Sequence, residues 1–171
     1  MYLISDGGIN TNILDTYESI MLTKYKSKID GIKFDVRKTL DHIFVLSRYE
    51  ELNKLTCGKG NVSEYNYSFI RKIKFPSHIF KYFIPTLEEI LNRYNKNKII
   101  VLELYSEDDL DRLFVLLIKY NYKYYFYSKD NNILNKLKKL DFDKIGNIIS
   151  DRDILINKDN TFFINEHNST K

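Results

Sequence analysis

The chain has 171 residues, 43% of them hydrophobic, with 27 lysines and arginines against 23 acidic residues and a net charge of +4. This length fits one domain with a real core and excludes a wholly disordered chain. The charge is small and spread out, with no basic stripe and no nucleic-acid motif, so nucleic acid is not an expected partner.

Tyr2-Leu-Ile4 reads as a short strand entering a flexible loop, Ser5-Asp-Gly-Gly8. Residues 13–28 carry Ile13, Tyr17, Ile20, Met21 and Tyr25 at helical spacing, which predicts a first helix. Gly31 then starts an apolar run, Ile32 to Val36, and Ile43 to Leu46 is a second β-favouring run. The polar break Asp41-His42 between them predicts a hairpin. With the turn centred on residues 41 and 42, pairing sets Asp35 opposite Arg48 and keeps Lys33 on the face of Asp35. The hairpin would thus gather Lys33, Asp35 and Arg48 around one spot.

Cys57-Gly-Lys-Gly60 follows. Glycines so spaced cradle phosphate only where they open a helix after a strand; here Asn61-Val62 comes next, and the stretch reads as a turn. Cys57, the sole cysteine, cannot form an internal disulfide and has no nucleophile motif around it, which suits a loop residue in a reducing cytoplasm. Residues 61–84 look irregular, with a short helix near 66–73. Pro85-Thr-Leu-Glu-Glu89 is a helix start, with Thr86 and Glu89 as a capping box and Leu87, Ile90 and Leu91 as the buried stripe.

Lys98 to Leu104 is a nearly continuous apolar run, the pattern of a parallel strand buried on both faces. Ser106-Glu-Asp-Asp109 predicts the cap of a further helix, with Leu110, Leu113, Phe114, Leu117 and Ile118 inward and an acidic first turn. Tyr124 to Ser128 reads as a strand, Asp130 caps a helix through Leu140, and 144–149 and 161–164 are two more candidate strands. The tyrosines between 120 and 127 suit core and rim positions better than base stacking. Strand alternating with helix predicts an α/β fold with a parallel sheet. No N-terminal signal peptide is expected, and no stretch approaches the roughly 18 apolar residues of a membrane span.

The order of these motifs resembles the glycerophosphodiester phosphodiesterases. The family's His-Arg-Gly after the first strand falls on Ser5-Asp6-Gly7, and its Pro-Glu-Asn-Thr on Ile13-Leu14-Asp15-Thr16. Its Gly-Ile-Glu-Leu-Asp-Val matches Gly31-Ile-Lys33-Phe-Asp35-Val36, its Thr-Lys-Asp-Gly turn matches Thr39-Leu-Asp41-His42, and its next His-Asp falls on Arg48-Tyr49. Gly58-Lys-Gly60 and Pro85-Thr-Leu-Glu-Glu89 are present letter for letter, and the family's Glu-Ile-Lys becomes Glu103-Leu-Tyr105. The matches span residues 2–150.

The resemblance implies a TIM-type (β/α) barrel, shortened or incomplete at its C-terminal end, since a full barrel of this type takes roughly 250 residues. Residues 1–150 would be the phosphodiesterase-like domain, with the hairpin and an insert at 36–85. Residues 151–171 would be a tail carrying one further strand. Open sheet edges would then need the tail, a protein partner or a second copy of the chain to cover them.

In the family two histidines act as general acid and base, a divalent metal sits among Glu, Asp and a second Glu, and Arg and Lys hold the phosphate. Here Ser5 and Arg48 stand at the histidine positions, Lys33 at the first metal carboxylate, Asp6 at the Arg and Tyr105 at the Lys. Asp35 and Glu103 alone remain as metal candidates. Neither Ser nor Arg moves a proton near neutral pH as imidazole does. His42 falls on the Gly of the family's turn, His78 in the insert and His167 near the C-terminus; none stands at a family histidine position, and all three read as surface residues.

The expectation is a catalytically degenerate phosphodiesterase-like protein, with no resident cofactor. It would bind a phosphate or glycerophosphodiester ligand through Lys33, Arg48, Asp6 and Tyr105, or a partner through its open sheet edges. Lys33 would supply the positive charge that a metal supplies in the relatives, unless all these charges are solvated rim residues. The alternative is an active enzyme releasing glycerol 3-phosphate, with Ca²⁺ or Mg²⁺ on Asp35 and Glu103 and Arg48 steadying the phosphoryl oxygens.

Overall fold

A computed structural model describes residues 1–8, 13–76, 82–156 and 161–164. Its elements run β1 (Tyr2–Asp6), α1 (Tyr17–Thr23), β2 (Gly31–Lys38), β3 (Phe44–Leu46), α2 (Tyr67–Ile70), α3 (Leu87–Arg93) and β4 (Ile99–Leu104). They continue with α4 (Leu110–Leu117), β5 (Lys123–Tyr127), α5 (Asn131–Lys139), β6 (Gly146–Ile149), β7 (Ile154–Ile156) and β8 (Thr161–Ile164).

One sheet unites the strands in the order β6-β5-β4-β2-β1-β8-β7, with β3 paired to β2 off this path. The members β1, β2, β4, β5 and β6 are parallel. At the other side β8 lies antiparallel on β1, and β7 antiparallel on β8. β6 and β7 are at opposite ends of this path, yet only residues 150–153 separate them. Five residue steps reach at most about 18 Å. The sheet must therefore curl until its outer strands approach each other, and it forms an incomplete (β/α) barrel. Across the inner face Lys123 Nζ on β5 donates to the Tyr2 hydroxyl on β1 at 2.7 Å.

Side-chain alternation sorts two cores. Phe34 and Val36 of β2, with Leu102 and Leu104 of β4, face outward and are covered by helix residues such as Leu87, Ile90 and Leu113. Ile4, Val101, Tyr125, Tyr127 and Phe162 fill the inner face. β4 is buried along its whole length between β2 and β5, as its unbroken apolar run predicts. A third cluster, including Val45, Leu52, Val62 and Ile70, holds the insert together beside the hairpin.

The Thr86–Glu89 capping box is formed in both directions, at 2.9 and 3.0 Å. Asp130 accepts from Asn132 N at 2.8 Å and caps α5. The first helix is shorter than its periodicity predicts: Thr16 caps it, and backbone bonds from Lys26 to Thr23 and from Ile29 to Lys26 replace the later helical turns. α4 also departs from expectation. Ser106 Oγ accepts from Asp108 N within the loop, while the cap residue Asp109 has a left-handed backbone and turns its carboxylate to Lys38 and His42, at 2.8 and 2.7 Å. α4 ends at Leu117, and Ile118 is exposed rather than inward.

The hairpin closes one residue away from the expected register. Thr39 and Ile43 form the closing pair around a three-residue loop, Leu40–His42, in which His42 takes the left-handed conformation usual at the third loop position. Val36 therefore pairs with Leu46, and Asp35 O accepts from Ser47 N at 2.9 Å, so Ser47 and not Arg48 stands opposite Asp35. Arg48 follows the paired stretch and is free to turn toward β1. Among the described residues no helix is long and apolar enough to cross a membrane.

Candidate functional site

Charged residues enter the inner face at the carboxyl ends of the parallel strands, where the apolar alternation breaks. Strand register puts Asp6 beside Lys33, and Asp35 beside Glu103. Lys33 and Asp35 share a face of β2 because they are two residues apart, and Val101 and Glu103 of the neighbouring β4, with Tyr105 just beyond it, continue that face.

Lys33 is the centre of this group. Its ammonium lies 3.2 Å from Asp6 Oδ1 and 3.4 Å from Asp35 Oδ2, and it donates to Glu103 Oε2. The Lys33 side chain is 12% exposed, those of Asp35 and Glu103 only 1% and 6%. Burial works against the ammonium, but Asp35, Asp6 and Glu103 together outweigh it and hold its pKa well above the ordinary lysine value. The Tyr105 hydroxyl donates to Asp35 Oδ1. Burial and the nearby Asp35 carboxylate raise its pKa far beyond the phenol range, so Tyr105 stays neutral.

Arg48 makes the second half of the cluster. A terminal nitrogen lies 3.0 Å from Asp6 Oδ1 and 3.3 Å from the Asp6 carbonyl oxygen, and Nε lies 3.2 Å from Asp15 Oδ2. Burial opposes the guanidinium's charge, but Asp15 and Asp6 overcome it and push the pKa up. Asp15 is buried, and desolvation, helped by Asp35, raises its carboxyl pKa to about 7 despite Arg48. Gly7 makes room for this contact: a Cβ on its left-handed backbone would stand 2.3 Å from Asp15 Oδ1 and 2.9 Å from Arg48.

Arg37 fixes the return strand. Its guanidinium donates to the carbonyls of Ser47 and Arg48, both at 3.0 Å, pairs with Glu50 at 2.8 Å, and stacks 4.1 Å from the centre of the Tyr105 ring. Arg37 therefore positions the Arg48 backbone and Tyr105 together. A cleft of about 280 Å³ opens beside Tyr105, bordered by Arg37, Lys38, Glu50, Ser63 and Asp108.

The structure thus brings together Asp6, Lys33, Asp35, Arg48, Glu103 and Tyr105, all six ligand and metal candidates of the sequence. Arg48 reaches Asp6 and Asp15 rather than facing Asp35 across the hairpin. Asp15 escaped the sequence reading as a site residue. Its signal was available: an aspartate just before the helix cap Thr16, returning to the end of the strand that carries Asp6.

Ser5 is fully buried, and its hydroxyl donates to Gly8 O at 2.9 Å. It is thereby committed to the loop. His42 is in the hairpin loop bonded to Asp109, away from the cluster. His78 and His167 lie outside the described residues.

The donor set does not fit a divalent metal. The place that three carboxylates share is filled by the Lys33 ammonium, which brings a positive charge and donates rather than accepts. Among the described residues no group of three or more His, Cys, Asp or Glu side chains is arranged to hold a metal ion. Lys33 and Arg48 are each shared between carboxylates, two cations among the four acidic side chains Asp6, Asp15, Asp35 and Glu103, and among the described residues no imidazole reaches the cluster.

No family model matches the chain, and no curated protein matches it by sequence. Solved structures do match. An Oleispira antarctica phosphodiesterase in complex with the product sn-glycerol-3-phosphate superposes with a TM-score of 0.76 at 19% identity, covering 86% of this chain and 64% of its own. A Thermotoga maritima glycerophosphodiester phosphodiesterase gives a TM-score of 0.70 at 22% identity, covering 92% and 62%. One from Agrobacterium tumefaciens gives 0.69 at 20% identity, covering 81% and 62%. At these identities the likeness is one of fold, and the chain spans less than two thirds of the length of each of these structures. The chain has the glycerophosphodiester phosphodiesterase fold, as an incomplete barrel.

Proposed function

We propose, with the glycerophosphodiester phosphodiesterase fold as the premise, that the protein is a catalytically degenerate form of it: a binding or interaction module for a phosphate-containing ligand or a protein partner. The observation that carries this reading is the state of the two positions where the relatives' proton-transfer groups would stand. Ser5 is buried and hydrogen-bonded to Gly8 O, and Arg48 is paired with Asp6 and Asp15. Each well-placed general acid or base contributes roughly 10²- to 10⁴-fold to rate, so losing both removes most of such a reaction. Two cations remain at the mouth, Lys33 and Arg48, and they suit a phosphoryl oxygen.

The edges of β6 and β7, each unpaired among the described residues, support the partner half of the proposal. An exposed, unpaired Cys57 fits a reducing compartment. The opposing reading, hydrolysis with a metal on Asp35 and Glu103, is favoured by the direct pairing of those two residues across β2 and β4. The ammonium of Lys33 between them counts against it.

The test is release of glycerol 3-phosphate from glycerophosphocholine with and without Ca²⁺ or Mg²⁺. The proposal expects no metal-dependent release above that of Asp35→Ala and Glu103→Ala. Release that disappears in both variants would overturn it. A rise in melting temperature with glycerol 3-phosphate would separate ligand binding from a purely structural role.

A further inference from the structure

We infer that Asp6 is an internal stand-in for a phosphate group, and that inorganic phosphate or a phosphate monoester binds between Lys33 and Arg48 by displacing its carboxylate. This rests on the binding-module reading above. One oxygen, Asp6 Oδ1, is held from two directions, 3.2 Å from the Lys33 ammonium and 3.0 Å from an Arg48 terminal nitrogen. The two cations come from different stretches, one from within β2 and the other from beyond the hairpin. Their convergence on a single oxyanion is the geometry by which ammonium and guanidinium groups hold a phosphoryl oxygen.

Asp6 is the replaceable member of the cluster. Its side chain is 28% exposed, whereas those of Asp15 and Asp35 are each 1% exposed. Exposure of the side chain as a whole is what sets Asp6 apart, since its Oδ1 is buried without a hydrogen-bond partner just as both carboxylate oxygens of Asp15 and Oδ2 of Asp35 are. Asp6 ends β1 and is followed by Gly7, whose N–H donates to Lys33 O at 3.1 Å and whose carbonyl accepts from Asp15 N at 2.7 Å and Ser19 Oγ at 3.1 Å, so the backbone is held and the displacement is a rotation of the Asp6 side chain alone. Ser5, tied to Gly8 O, also keeps the strand end in place while the Asp6 side chain turns out. Release of the Asp6 carboxylate to water offsets one of the charges that the incoming anion brings, and Lys33 keeps Asp35 and Glu103 as partners throughout.

Calorimetric titration of the full chain and of Asp6→Asn, each with inorganic phosphate and with glycerol 3-phosphate, tests this. Asp6→Asn should bind at least roughly tenfold more tightly than the unaltered chain, the step of one charge-assisted contact. Adding Arg48→Gln to Asp6→Asn should remove the gain. A gain with both ligands assigns recognition to the phosphate itself, and a gain with glycerol 3-phosphate alone assigns it to the headgroup; either upholds the inference. Equal affinities in the chain and the variant, or a gain that survives Arg48→Gln, would overturn it. Asp6→Ser provides the same comparison if the amide perturbs folding. Hydrolysis of glycerophosphocholine by the unaltered chain would defeat the non-catalytic reading and leave this result standing. Absence of the gain would defeat only the displacement.

Discussion

Replacing Lys33 with Met keeps the length of the side chain and removes the charge on which Asp6, Asp35 and Glu103 converge. Each contact places opposite charges between hydrogen-bond distance and 3.4 Å, in surroundings where Lys33 is 12% exposed. Removing one partner of a buried ion pair typically costs about 3–5 kcal/mol, because the charge left behind is unpaired. Here carboxylates would face one another, so the upper part of that range applies near pH 7. For a chain of this size, with about 2–4 °C of melting temperature per kcal/mol, Lys33→Met should melt at least about 8 °C lower. The loss should shrink toward pH 4, where the stranded carboxylates can take up protons. Lys33's own pKa is raised on folding, so its contribution is fully present below the ordinary lysine value and fades only as pH rises through the folded one. Urea unfolding at pH 4, 5.5 and 7 measures these quantities. A loss under about 1 kcal/mol at pH 7, within the range of exposed surface pairs, would mean that the charges are solvated and not committed to one another.

Asp15 has the opposite dependence. A carboxyl whose folded pKa is about 7, against an ordinary 3.8, makes the native state bind the extra proton, so stability falls as pH rises from about 4 to 7. The difference corresponds to about 4 kcal/mol at full extent. Asp15→Asn should lack this slope and match or exceed the unaltered chain in urea unfolding at pH 8; an unchanged slope would refute the assignment to Asp15. Thr86→Ala removes the hydroxyl that accepts from Glu89 N at 3.0 Å and should lower stability by about 1 kcal/mol, read by thermal unfolding. No loss would mean that α3 is held by Leu87 and Ile90 without its cap.

Much of the parallel framework is readable because pattern and burial agree. The run from Ile99 to Leu104 can be buried on both faces only as an inner parallel strand, and the Thr86–Glu89 box marks the start of α3 in the letters themselves. The site is legible for the residues fixed by strand alternation: Lys33 and Asp35 must share a face, and β4 then brings Glu103 to them. What depends on loop geometry is not. His42 adopts a left-handed backbone without being glycine, which lengthens the hairpin loop by one residue and moves the register. Arg48 then leaves the ladder and turns to Asp6 and Asp15, a contact set by Gly7 and the loop before α1 rather than by any strand periodicity. The closing hairpin is similar. Thr161–Ile164 can be picked out as a strand, but its place on β1 and its pairing with Ile154–Ile156 follow from the curl of the whole sheet.

The proposed function requires that Lys33, and not a metal ion, be the cation among Asp6, Asp35 and Glu103. Calorimetric titration of the unaltered chain with Ca²⁺ tests it most directly, with Lys33→Glu alongside. The unaltered chain should show no micromolar site, and Lys33→Glu, where a carboxylate takes the ammonium's place, should bind Ca²⁺ measurably. A micromolar Ca²⁺ site in the unaltered chain that disappears in Glu103→Ala would contradict it.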